Sequence, residues 1–453
     1  MAEHPSSRGR LFRSLWRTNL WLVPTVCVSL AVGVFIVAQI VDRAHHAGTI
    51  SLPAWLDHGG ANDLRDLLGA TAGAIITTLG LVLSITVLTL SIAATQFGQR
   101  MLRRYMRDRG TQVSIGIFAA TFIFSLLTLM AATSHPGQRE FVPWLSGWIS
   151  TLLALACIAT LIFFVHHIAQ TIQVNYVIAD ISRDLHRLVH KLTPKQAHGE
   201  APDVASTAEF HLLAPATGYI RQIEHDALVA AAAHGSVIVQ FTRRPGEFVL
   251  EGSRLAAVVF DPSARDRIGI PVPLSQALVR AVRIGRVRAL RQDPEFAIEQ
   301  LVEIALRAMS PGINDPFTMF ACADWLGDGL RTIAARSPRT LVYADPQGVV
   351  RLIVPTPSFD QLVRTGFEPL RAATSNSCAA SIRLLETIQA LAAHVSPEQT
   401  VELTRQAEHI LEGFSAAAVT GDRRAVEAAY QHAVRALSDR TQPETAPMRV
   451  VGL

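Results

Sequence analysis

Histidines and carboxylates gather just after the first apolar stretch of the sequence, and these residue types bind metals and protons. Imidazole nitrogens and carboxylate oxygens together suit a divalent metal, and histidines alone respond to acid pH. The spacing matches no standard metal site, so we predict a solvated loop and no bound metal. The residues are Asp42, His45, His46, Asp57, His58, Asp63 and Asp66.

Small and hydroxyl-bearing residues recur at spacings of three, four or seven along the second apolar stretch. In an α-helix these spacings bring the residues to one face. Gly69 and Gly73 form the Gly-xxx-Gly pattern that lets membrane helices approach closely. Two interpretations stay open: the face lines a polar path or an oligomer axis, or it packs inside a helical bundle. The candidate residues are Gly69, Gly73, Thr77, Gly80, Ser84 and Ser91.

Common motifs of catalytic, nucleotide-binding and metal-binding sites are missing from the sequence. It contains no G-x-x-x-x-G-K-[ST], H-E-x-x-H, C-x-x-C or G-x-S-x-G pattern. We therefore expect the chain not to be an enzyme and to carry no cofactor. Nucleic acid is not expected as a partner either, because residues 166–453 have a net charge of −1 within a total of +4. A local run of arginines between 280 and 291 suits lipid headgroups, a ligand phosphate or nearby acidic faces.

The composition of the chain predicts the transmembrane helices that carry or flank these residues. Of 453 residues, 49% are hydrophobic and 17% are charged. Four stretches without any charged residue (20–41, 67–94, 113–133 and 144–165) are long enough to cross a bilayer as helices. An uncharged membrane interior argues against a proton-coupled carrier. The predicted fold class is an α-helical integral membrane protein with four transmembrane helices and a cytoplasmic α+β domain.

Arginine clusters set the expected orientation. They lie before the first span, between the second and third, and after the fourth, whereas the other two loops carry few. Because positive residues stay on the cytoplasmic side, both termini are expected in the cytoplasm of a bacterium, with the chain in the inner membrane. Cys322 and Cys378 would then be free thiols in a reducing compartment.

Past the fourth span, apolar residues alternate steps of four and three from Val174 to Leu192. This pattern predicts one helical rod over 144–192 with a heptad seam. The seam either joins copies of the chain as a coiled coil or packs on the cytoplasmic domain, and we favour the first. The expected divisions are 1–165 (transmembrane domain), 166–200 (rod and linker), 201–265 (small β-rich module) and 266–453 (helical domain).

Residues 207–262 resemble the biotinyl/lipoyl-type barrel-sandwich fold through turn glycines in GYI and in PG-x-x-V-x-x-G-x-x-L. Those folds attach their cofactor to a lysine, and this chain has no lysine after Lys195. The resemblance therefore implies a structural or ligand-binding β-module without a covalent carrier role.

Two helix-start signals follow further along the chain. Asp293-Pro294 and Asp315-Pro316 each place an N-cap residue before a proline, and they predict a helical hairpin joined by SPGIND. Glu295, Glu299 and Glu303 form a carboxylate row, which we interpret as a solvated face.

The segment QDPEFAIEQLVEIALRAMSPGINDPFT resembles the signature of an uncharacterised bacterial family of predicted membrane proteins, a domain of unknown function. QFGQR, HHIAQTIQV and GYIRQIE extend the resemblance over nearly the whole chain, although Gln99-Arg100 stands where the family often has Pro-Arg. The family implies a topology and no settled activity. Turn-forming residues dominate the motif, so a structural role is expected for Gln292, Asp293, Ser310, Pro311, Gly312, Asn314, Asp315 and Pro316.

These observations lead to two hypotheses. The first is an oligomeric inner-membrane protein whose second helix lines a narrow path gated by the cytoplasmic domain. The second is a membrane-anchored sensor or scaffold that conducts nothing and binds a ligand or partner through that domain. Both imply a lipid bilayer as partner, and the first requires a homo-oligomer.

Overall fold

The computed structural model describes residues 21–50, 53, 60–97, 108–132, 141–171, 173–192, 210–260, 272–336, 340–414 and 419–441. The chain divides into two compact units. We call Met1–Gln173 the membrane unit and Val174–Leu453 the C-terminal unit.

Four helices form the described part of the membrane unit, and each is long and apolar enough to cross a bilayer. The prediction of four spans is therefore confirmed, with longer helices than the uncharged stretches alone suggested. Their bounds are α1 Leu22–His46, α2 Ala61–Phe97, α3 Arg109–Ala131 and α4 Trp144–Thr171.

Helix α3 is the centre of the membrane unit. It contacts α1, α2 and α4, and a larger share of it is buried than of the other three helices. Phe118 and Phe124 of α3 and Phe164 of α4 are among the largest fully buried side chains. Glycines allow close approach here: a Cβ on Gly116 would lie 2.9 Å from Cys27 Sγ, and one on Gly147 would lie 2.7 Å from a Leu64 methyl.

The prediction of one continuous rod over 144–192 is wrong. Helix α4 ends at Thr171, and helix α5 runs from Val174 to Leu192 within the C-terminal unit. The seam residues Ile178, Ile181 and Leu185 are fully buried against helices described below. The seam that we expected to join copies of the chain therefore packs against helices of the same chain.

Two sheets follow α5 in the C-terminal unit. The larger has the strand order β1-β5-β3-β8-β7, antiparallel except for the parallel pair β3 and β8, and the smaller has the order β4-β2-β6. The strands are β1 Phe210–Leu213, β2 Gly218–Ile223, β3 Val237–Phe241, β4 Phe248–Val249, β5 Arg254–Phe260, β6 Val282–Gly285, β7 Thr340–Ala344 and β8 Val350–Pro355.

The β structure extends beyond the segment 201–265 that the sequence set apart. Strands β6, β7 and β8 lie in the part expected to be helical, and β2 and β3 pair with β6 and β8 respectively. Buried residues of early and late strands, such as Val239 and Leu352, share one core. The expectation of a helical domain over 266–453 is therefore wrong for these three strands.

The helices of the C-terminal unit begin at the capping signals seen in the sequence. Asp293 and Asp315 accept hydrogen bonds from backbone N–H groups in the first turns of helices Pro294–Ala308 (α8) and Pro316–Ala334 (α9), and proline follows each cap, as predicted. Helix α5 packs on this hairpin. The bounds are α6 His225–Gly235, α7 Val272–Arg280, α8 Pro294–Ala308, α9 Pro316–Ala334, α10 Phe359–Thr374, α11 Cys378–Ala392, α12 Pro397–Gly413 and α13 Thr420–Thr441.

Candidate functional site

The predicted small-residue face of α2 points away from the rest of the membrane unit. At 100° per residue its six members fall within an arc of about 80°. All six are exposed, and a Cβ on Gly69, Gly73 or Gly80 would meet no atom within 4 Å. Leu68, Val82 and other buried residues form the opposite face. We call Gly69, Gly73, Thr77, Gly80, Ser84 and Ser91 the small-residue face.

This placement bears on the two sequence interpretations. The glycines do not serve packing inside the four-helix unit, because the tight glycine contacts of that unit lie at other positions, including Gly116 and Gly147. Thr77 and Ser84 donate hydrogen bonds to the carbonyl oxygens of Gly73 and Gly80, four residues earlier. Each hydroxyl thus donates its hydrogen within its own helix, and its oxygen lone pairs can still accept from a group outside the helix.

An acidic residue at the end of α1 anchors the start of α4. Asp42 is 2% exposed, and its carboxylate accepts hydrogen bonds from the N–H groups of Leu145 at 2.9 Å and Ser146 at 3.1 Å. The Ser146 hydroxyl also donates to it at 2.7 Å. A negative charge at a helix N-terminus satisfies free N–H groups and the helix dipole. Asp42 therefore positions α4, although the sequence grouped it with candidate metal ligands.

A second acidic residue lies where α3 begins. Asp108 accepts hydrogen bonds from the Thr111 N–H at 2.9 Å and the Thr111 hydroxyl at 2.7 Å, and His167 Nε2 of α4 lies 2.6 Å from the same oxygen. Gly110 makes room for this contact, since a Cβ there would lie 2.5 Å from the His167 ring. Burial raises the pKa of Asp108, but the hydrogen bonds from Thr111 and His167 outweigh burial and hold the pKa below its usual range.

Beside this pair is a cavity of about 20 Å³, room for roughly one water molecule. No set of three metal-binding side chains converges anywhere in the described part of the chain. The cavity is lined by Thr86, Thr89, Leu90, Asp108, Thr111, Gln112, Ile168 and Thr171.

In the C-terminal unit, the motif residue Gln292 acts as a cross-link to strand β2. Its amide oxygen accepts from the Ile223 N–H at 2.8 Å, and its amide nitrogen donates to the Ile223 carbonyl at 2.9 Å. A side chain thus completes the backbone hydrogen bonding at the end of β2. The role of Gln292 in this arrangement is structural.

Asp293 is the centre of a buried ionic network. It is 2% exposed and pairs with Arg288 through both oxygens, at 2.8 and 3.0 Å. Arg288 also contacts Glu299 at 2.6 Å, and its guanidinium lies over the Phe296 ring. Burial alone lowers the pKa of Arg288, but pairing with Asp293 and Glu299 raises it above its usual value. The pair fixes the N-terminus of α8.

The carboxylate row that we interpreted as a solvated face is partly internal. Glu295 accepts from Arg244 at 3.3 Å, from Gln361 at 3.1 Å and from Thr365 at 3.1 Å. Among the arginines of the 280–291 run, Arg283 pairs with Glu224 and Arg288 with Asp293. Nearby acidic groups are thus the partners of these two arginines, one of the alternatives that the sequence left open.

The SPGIND loop combines structural polar residues with exposed apolar ones. Ser310 donates to the Arg307 carbonyl, and Asn314 adopts φ +48°, a left-handed conformation that asparagine tolerates. The Asp315 carboxylate caps α9, which begins at Pro316. Pro311 and Gly312 are exposed, as are Ile313 (50%) and Phe317 (78%). Capping and turn geometry do not explain why two large apolar side chains are exposed here.

A small cavity of about 10 Å³ lies beside Gln292, lined among others by His225, Arg244 and Pro357. The His225 ring packs on Tyr343 with 4.4 Å between centroids. Burial lowers the pKa of His225 to about 4 and raises the pKa of Tyr343 to about 12. Both side chains are therefore neutral at pH 7, and the cavity has no titrating group in that range.

Sequence reasoning missed Asp42, Asp108, His167 and Arg244 as positioning residues. Asp108 carried a signal, because aspartate is a preferred N-cap residue at a helix start. The other three contact residues far away in the chain, and no local spacing points to their partners.

Comparison with known proteins agrees with this architecture. Residues 17–390 match the family described as predicted membrane protein, DUF2254. An uncharacterized protein of Mycobacterium bovis is 31% identical over 395 residues, which cover 85% of this chain and 74% of the relative. An uncharacterized protein of Mycobacterium tuberculosis shows the same identity and coverage. No solved structure matches the chain. The chain thus belongs to the DUF2254 family of predicted membrane proteins.

Proposed function

We propose that this chain is the subunit of an oligomeric inner-membrane protein in which the small-residue face of α2 lines a narrow ion path. The observation that carries the proposal is the outward position of that face on the single chain. Glycine, serine and threonine give membrane helices close packing against other helices and little contact with lipid tails. A neighbouring subunit is the partner that such a face suits.

The chemistry of the face favours cations as the permeating species. Thr77 and Ser84 direct their hydrogens to their own helix, so their oxygens offer lone pairs to the outside. Oxygen dipoles of this kind replace the hydration shell of a cation. In this proposal both termini lie in the cytoplasm, the side that the arginine clusters predict. The C-terminal unit would then gate the path from the cytoplasmic side, and the protein has no catalytic role.

The test has two measurements on the purified full-length chain. Its oligomeric state in detergent should exceed one, and liposomes containing it should pass current in salts of small cations. Gly73→Leu and Gly80→Leu should reduce both assembly and conductance, because each fills space that a neighbouring helix needs. The matched control is Gly33→Leu on α1, where a Cβ also meets nothing within 4 Å. A monomer, or a flat current trace across several salts, would contradict the proposal.

A second function is favoured by one separate observation, the exposed Ile313 in the signature loop and the exposed Phe317 in the first turn of α9. Clustered exposed apolar side chains are typical of docking surfaces. In this alternative the chain is a membrane-anchored scaffold that conducts nothing and binds a partner protein through these two residues.

The scaffold alternative is tested with the full-length chain as bait in a membrane extract. Phe317→Ser should abolish capture of a defined partner. Val401→Ser should retain it, because Val401 is also exposed (71%) but lies on α12. Equal capture by both variants would contradict this alternative.

A further inference from the structure

The cavity between α2, α3 and α4 has an unusual balance of hydrogen-bond donors and acceptors. Its four threonine hydroxyls all direct their single hydrogen elsewhere. Thr86 donates to the Val82 carbonyl, Thr89 to the Ile85 carbonyl, Thr171 to the His167 carbonyl and Thr111 to the Asp108 carboxylate, all within 2.8 Å. What the hydroxyls of Thr86, Thr89 and Thr111 can still offer the cavity is oxygen lone pairs.

The carboxylate at this cavity adds a negative charge. Asp108 Oδ2 accepts hydrogen bonds from Thr111 and His167, whereas Oδ1 receives one long bond of 3.4 Å from the Gly110 N–H. Oδ1 therefore retains capacity for another positive partner. Gln112 also lines the cavity.

A cation satisfies such a site better than a water molecule does. Water would donate two hydrogens but would leave its own oxygen without donors among the threonines. A divalent ion is a poor match, because calcium takes six to eight oxygen ligands and generally several carboxylates. One carboxylate, several hydroxyl oxygens and a volume of about 20 Å³ suit a small monovalent ion.

We propose that this cavity is a binding site for a monovalent cation of about the size of sodium, held by Asp108 and the hydroxyl oxygens of Thr86, Thr89 and Thr111. The bound ion would tie together the ends of α2, α3 and α4 inside a single subunit. This site is separate from the small-residue face, which lies on the opposite side of α2. The inference therefore does not depend on ion conduction.

The experiment measures the melting temperature of the full-length protein in detergent at constant ionic strength. Sodium, potassium and lithium chloride are each compared with N-methyl-glucamine chloride, whose cation is too large for the cavity. A ligand that binds the folded state stabilises it in proportion to the logarithm of its concentration above Kd. The expected result is a rise of several degrees with one small cation, growing with the logarithm of its concentration, and no rise with N-methyl-glucamine.

Variants link that rise to the cavity. Thr89→Val keeps the shape and removes an oxygen, so it should lose the cation-dependent rise, and Asp108→Asn should lose it too. Thr160→Val is the matched control, because the Thr160 hydroxyl likewise bonds to the carbonyl four residues earlier but lies near no cavity residue in sequence. The control should retain the full rise.

Two outcomes would overturn the proposal. One is a melting temperature that is the same in all four chlorides, which would mean that water fills the cavity. The other is an undiminished rise in Thr89→Val. Because a variant in the bundle can fail to fold, equilibrium dialysis of radioactive sodium against the unmodified protein is the second measurement. An absence of saturable binding there would also refute the site.

Discussion

The packing of α5 against α9 gives the sharpest test of the fold. Leu185 on α5 is fully buried, and the position that a Cβ would take on Gly329 of α9 lies 2.5 Å from a Leu185 methyl. Leucine fits only because residue 329 has no side chain. The structure thus predicts that these two positions are energetically coupled.

Each single substitution should destabilise the C-terminal unit, for different reasons. Leu185→Ala removes buried methyl groups and leaves a cavity, which lowers the free energy of unfolding by about 2–5 kcal/mol. Gly329→Ala creates a clash that costs about 1–3 kcal/mol, partly offset by the higher helix propensity of alanine, about 1 kcal/mol.

In the double variant the sign of the second substitution should reverse. Once Leu185 is shortened, the methyl group at position 329 has space, fills part of the cavity and retains its helix propensity. We expect Leu185→Ala/Gly329→Ala to be more stable than Leu185→Ala alone by about 1 kcal/mol. A change of sign of this kind is a coupling that independent sites do not show.

Hydrogen–deuterium exchange of the full-length protein in detergent is the assay, read on peptides that cover α5 and α9. A loss of 2–5 kcal/mol would speed exchange through unfolding by roughly 30-fold to several thousand-fold. Tyr176→Ala, at an exposed position of α5, is the control and should change exchange little. Equal destabilisation by Gly329→Ala in both backgrounds would refute the packing. A change of oligomeric state without faster exchange would instead indicate that the seam joins copies.

Three further predictions follow from single residues. Folding lowers the pKa of His225 from 6.5 to about 4, so the unfolded chain takes up a proton more readily than the folded chain. The melting temperature of the C-terminal unit should therefore fall as the pH drops from 6.5 towards 4. His225→Phe should reduce that fall. Asp42→Asn should lower the stability of the membrane unit by about 1–3 kcal/mol, because buried N–H groups of α4 lose a charged acceptor, visible as faster exchange of the α4 N-terminus. Gly246→Ala should destabilise the C-terminal unit by about 1–3 kcal/mol or more, measured by urea denaturation. Residue 246 has a φ of +97°, and a Cβ there would overlap the Asp293 carboxylate.

Matched variants separate these causes. Gly252 also has a positive φ of 78° but has nothing within 4 Å of a Cβ, so Gly252→Ala should show backbone strain without the clash. Asp66→Asn, on the exposed start of α2, should leave the exchange of α4 unchanged. If Asp66→Asn matched Asp42→Asn, or Gly252→Ala matched Gly246→Ala, the stated reasons would be incorrect.

The membrane helices and the helix starts were predictable because their signals are local. An uncharged stretch of about 20 residues has few structures available in lipid, and Asp293-Pro294 specifies a cap within four residues. The break after Thr171 was not predictable, because the sequence of α5 is helical and a heptad pattern does not say whether the partner is another copy or another helix. Strand β6 has only four residues, too few for a period of two to stand out.

The candidate sites divide in the same way. The spacing of its residues predicted the small-residue face of α2. Which side of α2 faces the other membrane helices depends on how α3 and α4 pack against it. Asp42 and Ser146 lie 104 positions apart, so their hydrogen bond is a property of the folded unit. Glu295 looked like a surface charge because its helix neighbours are charged, whereas its partners Arg244 and Gln361 come from distant segments.

The parallel pairing of β3 with β8 has a consequence for synthesis on the ribosome. Val239 pairs with Leu352, so 113 residues must be added before the inner edge of β3 meets its neighbour. At a synthesis rate of 5–20 residues per second, that edge and its apolar face stay unpaired for about 6–23 seconds. During this interval the nascent chain already carries four hydrophobic helices and an open strand edge, a species prone to aggregation that chaperones commonly protect. Truncation before residue 355 would make that transient state permanent.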